Sequence, residues 1–452
     1  MSFPRYPEYK DSGDAALGLI PSHWRVARIG DVAKLVNGYP FDSALFYDDG
    51  AHPLIRIRDL GVSETATRYN GDFVEAAAVT SSDVLIGMDG DFNVGRWLGT
   101  GTALLNQRMC CIRTSNPELT KLLEYALPQP LRVINDLTYA TTVKHLSSSQ
   151  VEKIRLGLAP DRDELSAIVG FLDHETAKID ALVAEQEKLI ALLQEKRQAI
   201  ISHAVTKGLN PNAPMKDSGV EWLGEVPAHW EVAAVNYRYE VLLGKMLDEK
   251  RITGRHLAPY LRNVDVQWDC INTEDLPQMD FSGDDIVRYG LTAGDLLVCE
   301  GGDVGRSAIW TGKLEECYYQ KALHRLRPRQ PARDASRFQL YVLNMAAKLG
   351  IFTGGEGKAT IAHLTAEALR RYRFAYPPQD EQTRIVQFLD EKTAKLDTLI
   401  AEARTAITLL QERRTALISA AVTGQIDVRS WIPADAASNF IAASAGAESV
   451  GG

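Results

Sequence analysis

No stretch of this 452-residue chain holds the uninterrupted apolar run that a membrane span needs. The opening residues, Met1-Ser2-Phe3-Pro4-Arg5-Tyr6, also lack the apolar stretch of a signal peptide. The cytoplasm is therefore the expected compartment, with no membrane partner. Cysteine is scarce too. The five thiols, Cys110, Cys111, Cys270, Cys299 and Cys317, form an odd count without a C-x-x-C pair. That excludes the usual zinc spacings and a disulfide framework, so reduced structural thiols and no bound metal are expected.

Catalytic signatures are missing as well. Neither H-E-x-x-H nor G-x-S-x-G occurs. Gly354-Gly355-Glu356-Gly357-Lys358-Ala359-Thr360 comes nearest to a phosphate loop, but Phe352 stands where the first glycine is required, and Ala359 where Ser or Thr must follow the lysine. A loop whose single cation, Lys358, suits a DNA phosphate is the expectation there. Tyr376-Pro377-Pro378-Gln379 has the wrong order for the catalytic turn of amino-methyltransferases; it predicts a rigid lead-in to a helix instead. Glu8-Tyr9-Lys10 lacks the strand acid that a nuclease would add. His145 and His363 recur at matching places and suit core or capping roles. No catalytic residue and no cofactor is expected.

The net charge of −9 argues against a uniformly basic surface. A nucleic-acid binder needs only a local basic face, whatever its total charge. Acidic residues such as Glu164, Glu175, Glu185 and Glu187 crowd into helical segments. Arginines gather at Arg251, Arg255 and Arg262, and again at Arg325, Arg327, Arg329, Arg333 and Arg337.

What the chain does have is itself, twice. Asp11-Ser12-Gly13 leads to Leu17-Gly18-Leu19-Ile20-Pro21-Ser22-His23-Trp24-Arg25-Val26, and Asp217-Ser218-Gly219 leads with the same spacing to Leu223-Gly224-Glu225-Val226-Pro227-Ala228-His229-Trp230-Glu231-Val232. A longer echo joins residues 168–206 to 385–423, with more than half the positions identical and no gap. Between the echoes only fragments correspond. Residues 90–96, ending Gly95-Arg96, line up by eye with 301–306, ending Gly305-Arg306. Asn106-Gln107-Arg108 lines up with Tyr319-Gln320-Lys321. The pattern is variable block, shared block, variable block, shared block.

The shared blocks predict helices. Ile179, Leu182, Leu189, Leu193 and Ile200 keep three-and-four spacing, as do Leu396, Leu399, Leu410 and Leu417. At about 1.5 Å per residue each helix reaches roughly 55 Å. Pairing as an antiparallel coiled coil with approximate two-fold symmetry would cover both stripes, although Gln186, Lys196 and Arg413 interrupt the seam. Two long helices packed on separate domains is the alternative. The variable blocks predict mixed α/β domains, with strands at Asp83–Gly87, Cys110–Arg113, Asp295–Cys299 and Leu323–Leu326. Helices are expected at Leu119–Ala126 and Phe338–Ala347. The predicted class is α+β: mixed α/β domains at 1–160 and 208–378, helical regions at 161–207 and 379–427, and a tail from 428 to 452 whose Ala/Ser/Gly composition predicts no fixed structure.

With these residues assembled, the chain resembles the specificity subunit of type I restriction-modification systems. The Asp-Ser-Gly…Leu-Gly-x-x-Pro-x-His-Trp-x-Val openings, Pro377-Pro378-Gln379-Asp380-Glu381-Gln382 and the Ile-Val-x-Phe-Leu-Asp helix starts carry the likeness across nearly the whole chain. The first copy departs at residues 159–165, where the Pro-Pro and Glu-Gln pairs are lost. The resemblance implies two target-recognition domains, each reading half of a split, asymmetric site in double-stranded DNA, on a helical spacer. It also implies two modification subunits carrying S-adenosylmethionine chemistry, and ATP-driven restriction subunits. Arg and Gln offer the bidentate geometry that discriminates bases in the major groove. Candidate DNA contacts are Arg56, Arg58, Arg96, Gln107, Arg108, Lys144, Arg262, Asn263, Arg306, Gln320, Lys321 and Lys358. A coiled-coil scaffold that binds only proteins, or a self-contained methyltransferase or nuclease, would be the competing readings.

Overall fold

The computed structural model describes residues 3–138, 144–246, 253–353 and 363–433. Contacts divide the chain into two compact units. One holds the chain up to Gln186 together with the chain from Ala406 onward; the other runs from Glu187 to Thr405.

In the first unit a four-stranded antiparallel sheet has the order Val94–Gly95, Val84–Gly87, Met109–Arg113, Lys34–Asn37. Four consecutive residues of Val84–Gly87 are buried, as are the first four of Met109–Arg113, which is why these runs read as apolar blocks without alternation. A second sheet places His52–Ile55 parallel to Ala103–Leu105. A ribbon of Arg25–Arg28 and Arg155–Leu158 closes the block.

The second unit repeats this plan. Its sheet has the order Tyr239–Leu243, Leu323–Pro328, Leu296–Cys299, Ser307–Ile309. Leu257–Leu261 runs parallel to Tyr318–Tyr319, and Glu231–Ala234 pairs with Arg373–Tyr376. Sequence divergence between the blocks thus leaves topology intact. The protein is α+β, with the expected strands and helices in place; Pro117–Ala126 and Ser336–Lys348 are the block helices.

The two long helices span Arg162–Lys207 and Gln379–Val422, 46 and 44 residues. Within the first unit Phe171 and Leu172 share a core with Leu417 and Ala421, and Asp180 pairs with Arg414 at 2.9 Å. Within the second unit Ile201, Ala204 and Val205 share a core with Ile385 and Leu389, and Arg197 pairs with Asp397 at 2.9 Å. In both, numbers rise along one helix as they fall along the other, so the segments are antiparallel. Of the predicted stripe, Ile179, Leu396 and Leu417 are buried, Leu193, Ile200 and Leu410 half-buried, and Leu182, Leu189 and Leu399 exposed.

The repeated His-Trp openings dock the start of each long helix. Trp24 donates from Nε1 to Glu164 at 3.0 Å, and His23 meets the same carboxylate at 2.9 Å. His229 meets the matching Glu381 at 2.7 Å, with Trp230 buried beside it. The chain past Val428 corrects the expectation of an unstructured tail as far as residue 433. Val428 is fully buried, and Trp431 packs edge-on against Phe171 with ring centroids 5.2 Å apart. Residues 434–452 lie outside the described residues. Among the described residues no helix is long and apolar enough to cross a membrane.

Candidate nucleic-acid interface

Four of the candidate contacts, Gln107, Arg108, Gln320 and Lys321, lie on one equivalent turn in each unit. In the first, the chain leaves Ala103–Leu105 and reverses into Met109–Arg113. Backbone hydrogen bonds hold the reversal from all sides: Asn106 N–H to Ile55 O (3.1 Å), Met109 N–H to Asn106 O (3.1 Å), Tyr39 N–H to Leu105 O (2.8 Å), Gly38 N–H to Met109 O (2.9 Å) and Met88 N–H to Arg108 O (2.9 Å). With its backbone satisfied in this way, the turn points Gln107 and Arg108 outward.

The second unit repeats every bond. Gln320 N–H reaches Leu261 O (3.0 Å), Leu323 N–H reaches Gln320 O (3.0 Å), Lys245 N–H reaches Tyr319 O (3.1 Å), Gly244 N–H reaches Leu323 O (3.0 Å) and Glu300 N–H reaches Ala322 O (3.0 Å). Gly38 and Gly244 are needed here. A Cβ on either would run into the carbonyl of Asn106 or Gln320.

These bonds correct the register read from sequence. Asn106-Gln107-Arg108 matches Gln320-Lys321-Ala322, one residue later than the alignment by eye. Arg96 and Arg306 are not equivalents either. Val94 pairs with Ile86 as Ser307 pairs with Val298, which places Arg306 opposite Asn93 and Arg96 opposite Ile309 in the comparison of units.

Arg56 and Arg262 are true equivalents. Each follows the residue whose carbonyl receives the turn's first N–H, and each donates its own backbone N–H to a buried aspartate three residues on, Asp59 at 2.9 Å and Asp265 at 2.7 Å. The Arg-x-x-Asp signal was present in the sequence. Their side chains differ: Arg262 is held by Asp265 through Nε (2.9 Å) and Nη2 (2.8 Å), which raises its pKa further, whereas Arg56 is exposed.

Other candidates are committed elsewhere. Arg108 pairs with Asp89, whose carboxylate also meets His145 Nδ1 at 2.7 Å. Burial pushes the Asp89 pKa up, but the hydrogen bonds from His145 and Arg108 outweigh it and hold the group below its ordinary value. Arg58 donates to Thr67 at 2.7 Å, and its counterpart Val264 is exposed. Arg306 donates to the Asn263 side chain at 2.7 Å, while Asn263 donates to Gly301 O at 3.0 Å. Lys144 is tied to the carbonyl and side chain of Asn135 at 2.7 and 2.9 Å, and Arg96 lies 3.7 Å from Glu124. Lys358 lies outside the described residues. The exposed Tyr39 and its counterpart Lys245, beside the turns, were not anticipated; the shared glycine before each was their signal.

The second arginine cluster is structural. Arg325 is buried and pairs with Glu240, Arg327 forks onto buried Asp295, Arg333 meets Glu231, and Arg337 meets Asp390 and Asp269.

Two units of one topology, each with the same hydrogen-bonded turn and each packed on the two long helices, define a duplicated α+β protein. The model of the family described as the type I restriction modification DNA specificity domain matches residues 21–191 and 271–409, more than half of the chain, and the chain belongs to that family. It is 39% identical over 194 residues to the specificity subunit of the type I restriction enzyme EcoBI from Escherichia coli, a match covering 42% of this chain and 40% of that one. The MjaVIII specificity subunit from Methanocaldococcus jannaschii is 25% identical over 235 residues, 50% of this chain and 51% of its own. The chain thus spans about half or less of these two relatives. The EcoKI specificity subunit of Escherichia coli K12 is 20% identical over 439 residues, 90% of each chain. A solved chain from a study of type I R-M complex assembly and conformational transition shares the fold with a TM-score of 0.67 at 16% identity, over 90% of this chain and 99% of its own. The HsdS subunit from Thermoanaerobacter tengcongensis gives 0.51 at 16% identity, over 90% and 98%.

Proposed function

We propose that the chain reads a two-part, asymmetric DNA site, one half with each variable block, and supplies no chemistry itself. The recognition domains are residues 1–160 and 208–378, and the helical regions 161–207 and 379–427 set the gap between half-sites. One observation carries the reading. The same hydrogen-bonded turn presents Asn106-Gln107-Arg108 in one unit and Gln320-Lys321-Ala322 in the other. One frame with two sets of hydrogen-bonding side chains is what two different half-sites require. Exposed Arg56 and Tyr39 flank the first turn and suit contacts to base edges or phosphates. Arg262 and Lys245 hold the equivalent places at the second turn but are paired with Asp265 and Asp285 at 2.8 Å each, pairs that DNA contact would have to exchange. Arg58, Asn263, Arg306, Arg96, Lys144 and Lys358 remain secondary candidates.

Helices of 44 and 46 residues extend about 65–70 Å, near two turns of duplex at about 34 Å each. The exposed leucines Leu182, Leu189 and Leu399 suit docking of two modification subunits, which bring S-adenosylmethionine and adenine methylation. Restriction subunits driven by ATP complete the assembly for cleavage.

Selection from a randomised duplex library tests this, using the chain in complex with its modification subunits. Enrichment of two unlike half-sites at a fixed gap supports the reading. Gln107→Ala should then relax one half only. An unenriched library contradicts it.

A further inference from the structure

The same polar cluster fastens each variable block to its long helix, although the residues around it have diverged. In the first unit the Tyr125 hydroxyl donates to Asp173 Oδ1 at 2.8 Å and lies 3.2 Å from Thr176 Oγ1, and Lys121 pairs with the other carboxylate oxygen. In the second, the Tyr341 hydroxyl donates to Asp390 Oδ1 at 2.6 Å and lies 3.4 Å from Thr393 Oγ1. Arg337 reaches the same oxygen through Nε at 2.9 Å and Nη2 at 2.8 Å. Both threonines are buried, with their hydroxyls donating one turn back, to Leu172 O at 2.6 Å and Leu389 O at 2.7 Å.

The block helices keep a cation and, four residues later, a tyrosine at matching positions. Between them Leu122-Leu123-Glu124 stands against Phe338-Gln339-Leu340, without one identity. Apolar contacts alone tolerate sliding and repacking. A phenol donating to a carboxylate beside a fixed threonine permits one register.

The cluster also connects to the reading turn by a short, stiff path. Met109–Arg113 leaves the turn directly, and its last residue forks onto buried Asp83 at 2.8 Å through both Nε and Nη2. The chain then enters the helix at Pro117 and reaches the cluster. In the second unit Leu323–Pro328 leaves the turn, and Arg327 forks onto Asp295 at 2.7 and 2.6 Å, before the helix at Ser336.

We infer that Tyr125 with Asp173, and Tyr341 with Asp390, are positioning residues that fix the register of each reading turn on its long helix, and so select the length of DNA between the half-sites. This rests on the two-part reading proposed above. Loosening a clamp leaves the turn and its side chains intact but widens the range of positions they take. Gap selectivity should therefore fall while base selectivity stays.

Binding by the full complex with modification subunits should be compared on duplexes carrying the cognate gap and gaps one base pair shorter or longer. Tyr125→Phe and Tyr341→Phe remove only the hydroxyl, and their melting curves check folding; Asp390→Asn is the second variant. The preference for the cognate gap should fall about tenfold in each, the scale of one hydrogen bond to a charged group. Discrimination against single-base changes within either half-site should be retained. Unchanged gap preference overturns the positioning role, and so does an equal loss of base discrimination. A wild-type complex that selects no two-part site removes the underlying reading as well, whereas a gap-selective wild type with indifferent variants removes only the clamp.

Discussion

Leu165 and Gln382 occupy the same place in the two copies, and the structure explains why the motif was allowed to break. Gln382 is fully buried. Its amide nitrogen donates to Arg333 O at 3.0 Å and Pro377 O at 2.9 Å, and its oxygen accepts from Ala335 N–H at 2.9 Å. Leu165 packs into the apolar core of the first unit. Gln382→Leu should therefore destabilise the second unit by about 1–3 kcal/mol, because three backbone groups lose their partner. Urea unfolding checks this, and the same glutamine placed at Leu165 should gain nothing. The same scale separates free side chains from those held in ion pairs. Sequence offers a list of arginines, but it does not show which carboxylate each one meets. Arg325 and Arg327 look as basic as Arg56 until Glu240 and Asp295 are found beside them. Among the described residues no hydrogen bond or ion pair holds the side chain of Gln107, so Gln107→Ala should cost about 1–3 kcal/mol on the first half-site and nothing on the second, by titration with each half-site altered in turn.

At the scale of elements, strands and helices were legible because burial imposes period and composition. Val84–Gly87 and Leu296–Cys299 are buried throughout, and the long helices carry good helix formers without proline. The register of the turns at Asn106 and Gln320 was not legible. Side chains there diverge, and the equivalence lives in backbone hydrogen bonds around Gly38 and Gly244, which no side-chain alignment reports. The clamps make a separate prediction. Burial pushes Tyr125 and Tyr341 from the ordinary 10.0 to about 12. A raised folded-state value favours the neutral phenol in the folded protein, so this stabilisation is fully present below pH 10 and is lost as pH climbs towards 12. Replacing both tyrosines by phenylalanine should make alkaline destabilisation shallower between about pH 9 and about pH 11, read from urea midpoints at those two values.

At the scale of the whole molecule, duplication was the most legible feature of all, since the 168–206 and 385–423 echoes need no structure to be seen. What duplication alone did not show is how it is used. Each unit draws on both long helices, with Asp180–Arg414 in one and Arg197–Asp397 in the other, so a pair made in one unit is remade in the other with the copies exchanged. Retained pairing together with divergent turns supports the proposed reading of two unlike half-sites. Methylation mapping tests that claim most directly, comparing DNA from cells that express this chain with its modification subunit against cells lacking only this chain. The account predicts methyladenine at a split, asymmetric motif that disappears without the chain. A complex that assembles while no methylated motif depends on this chain would contradict it.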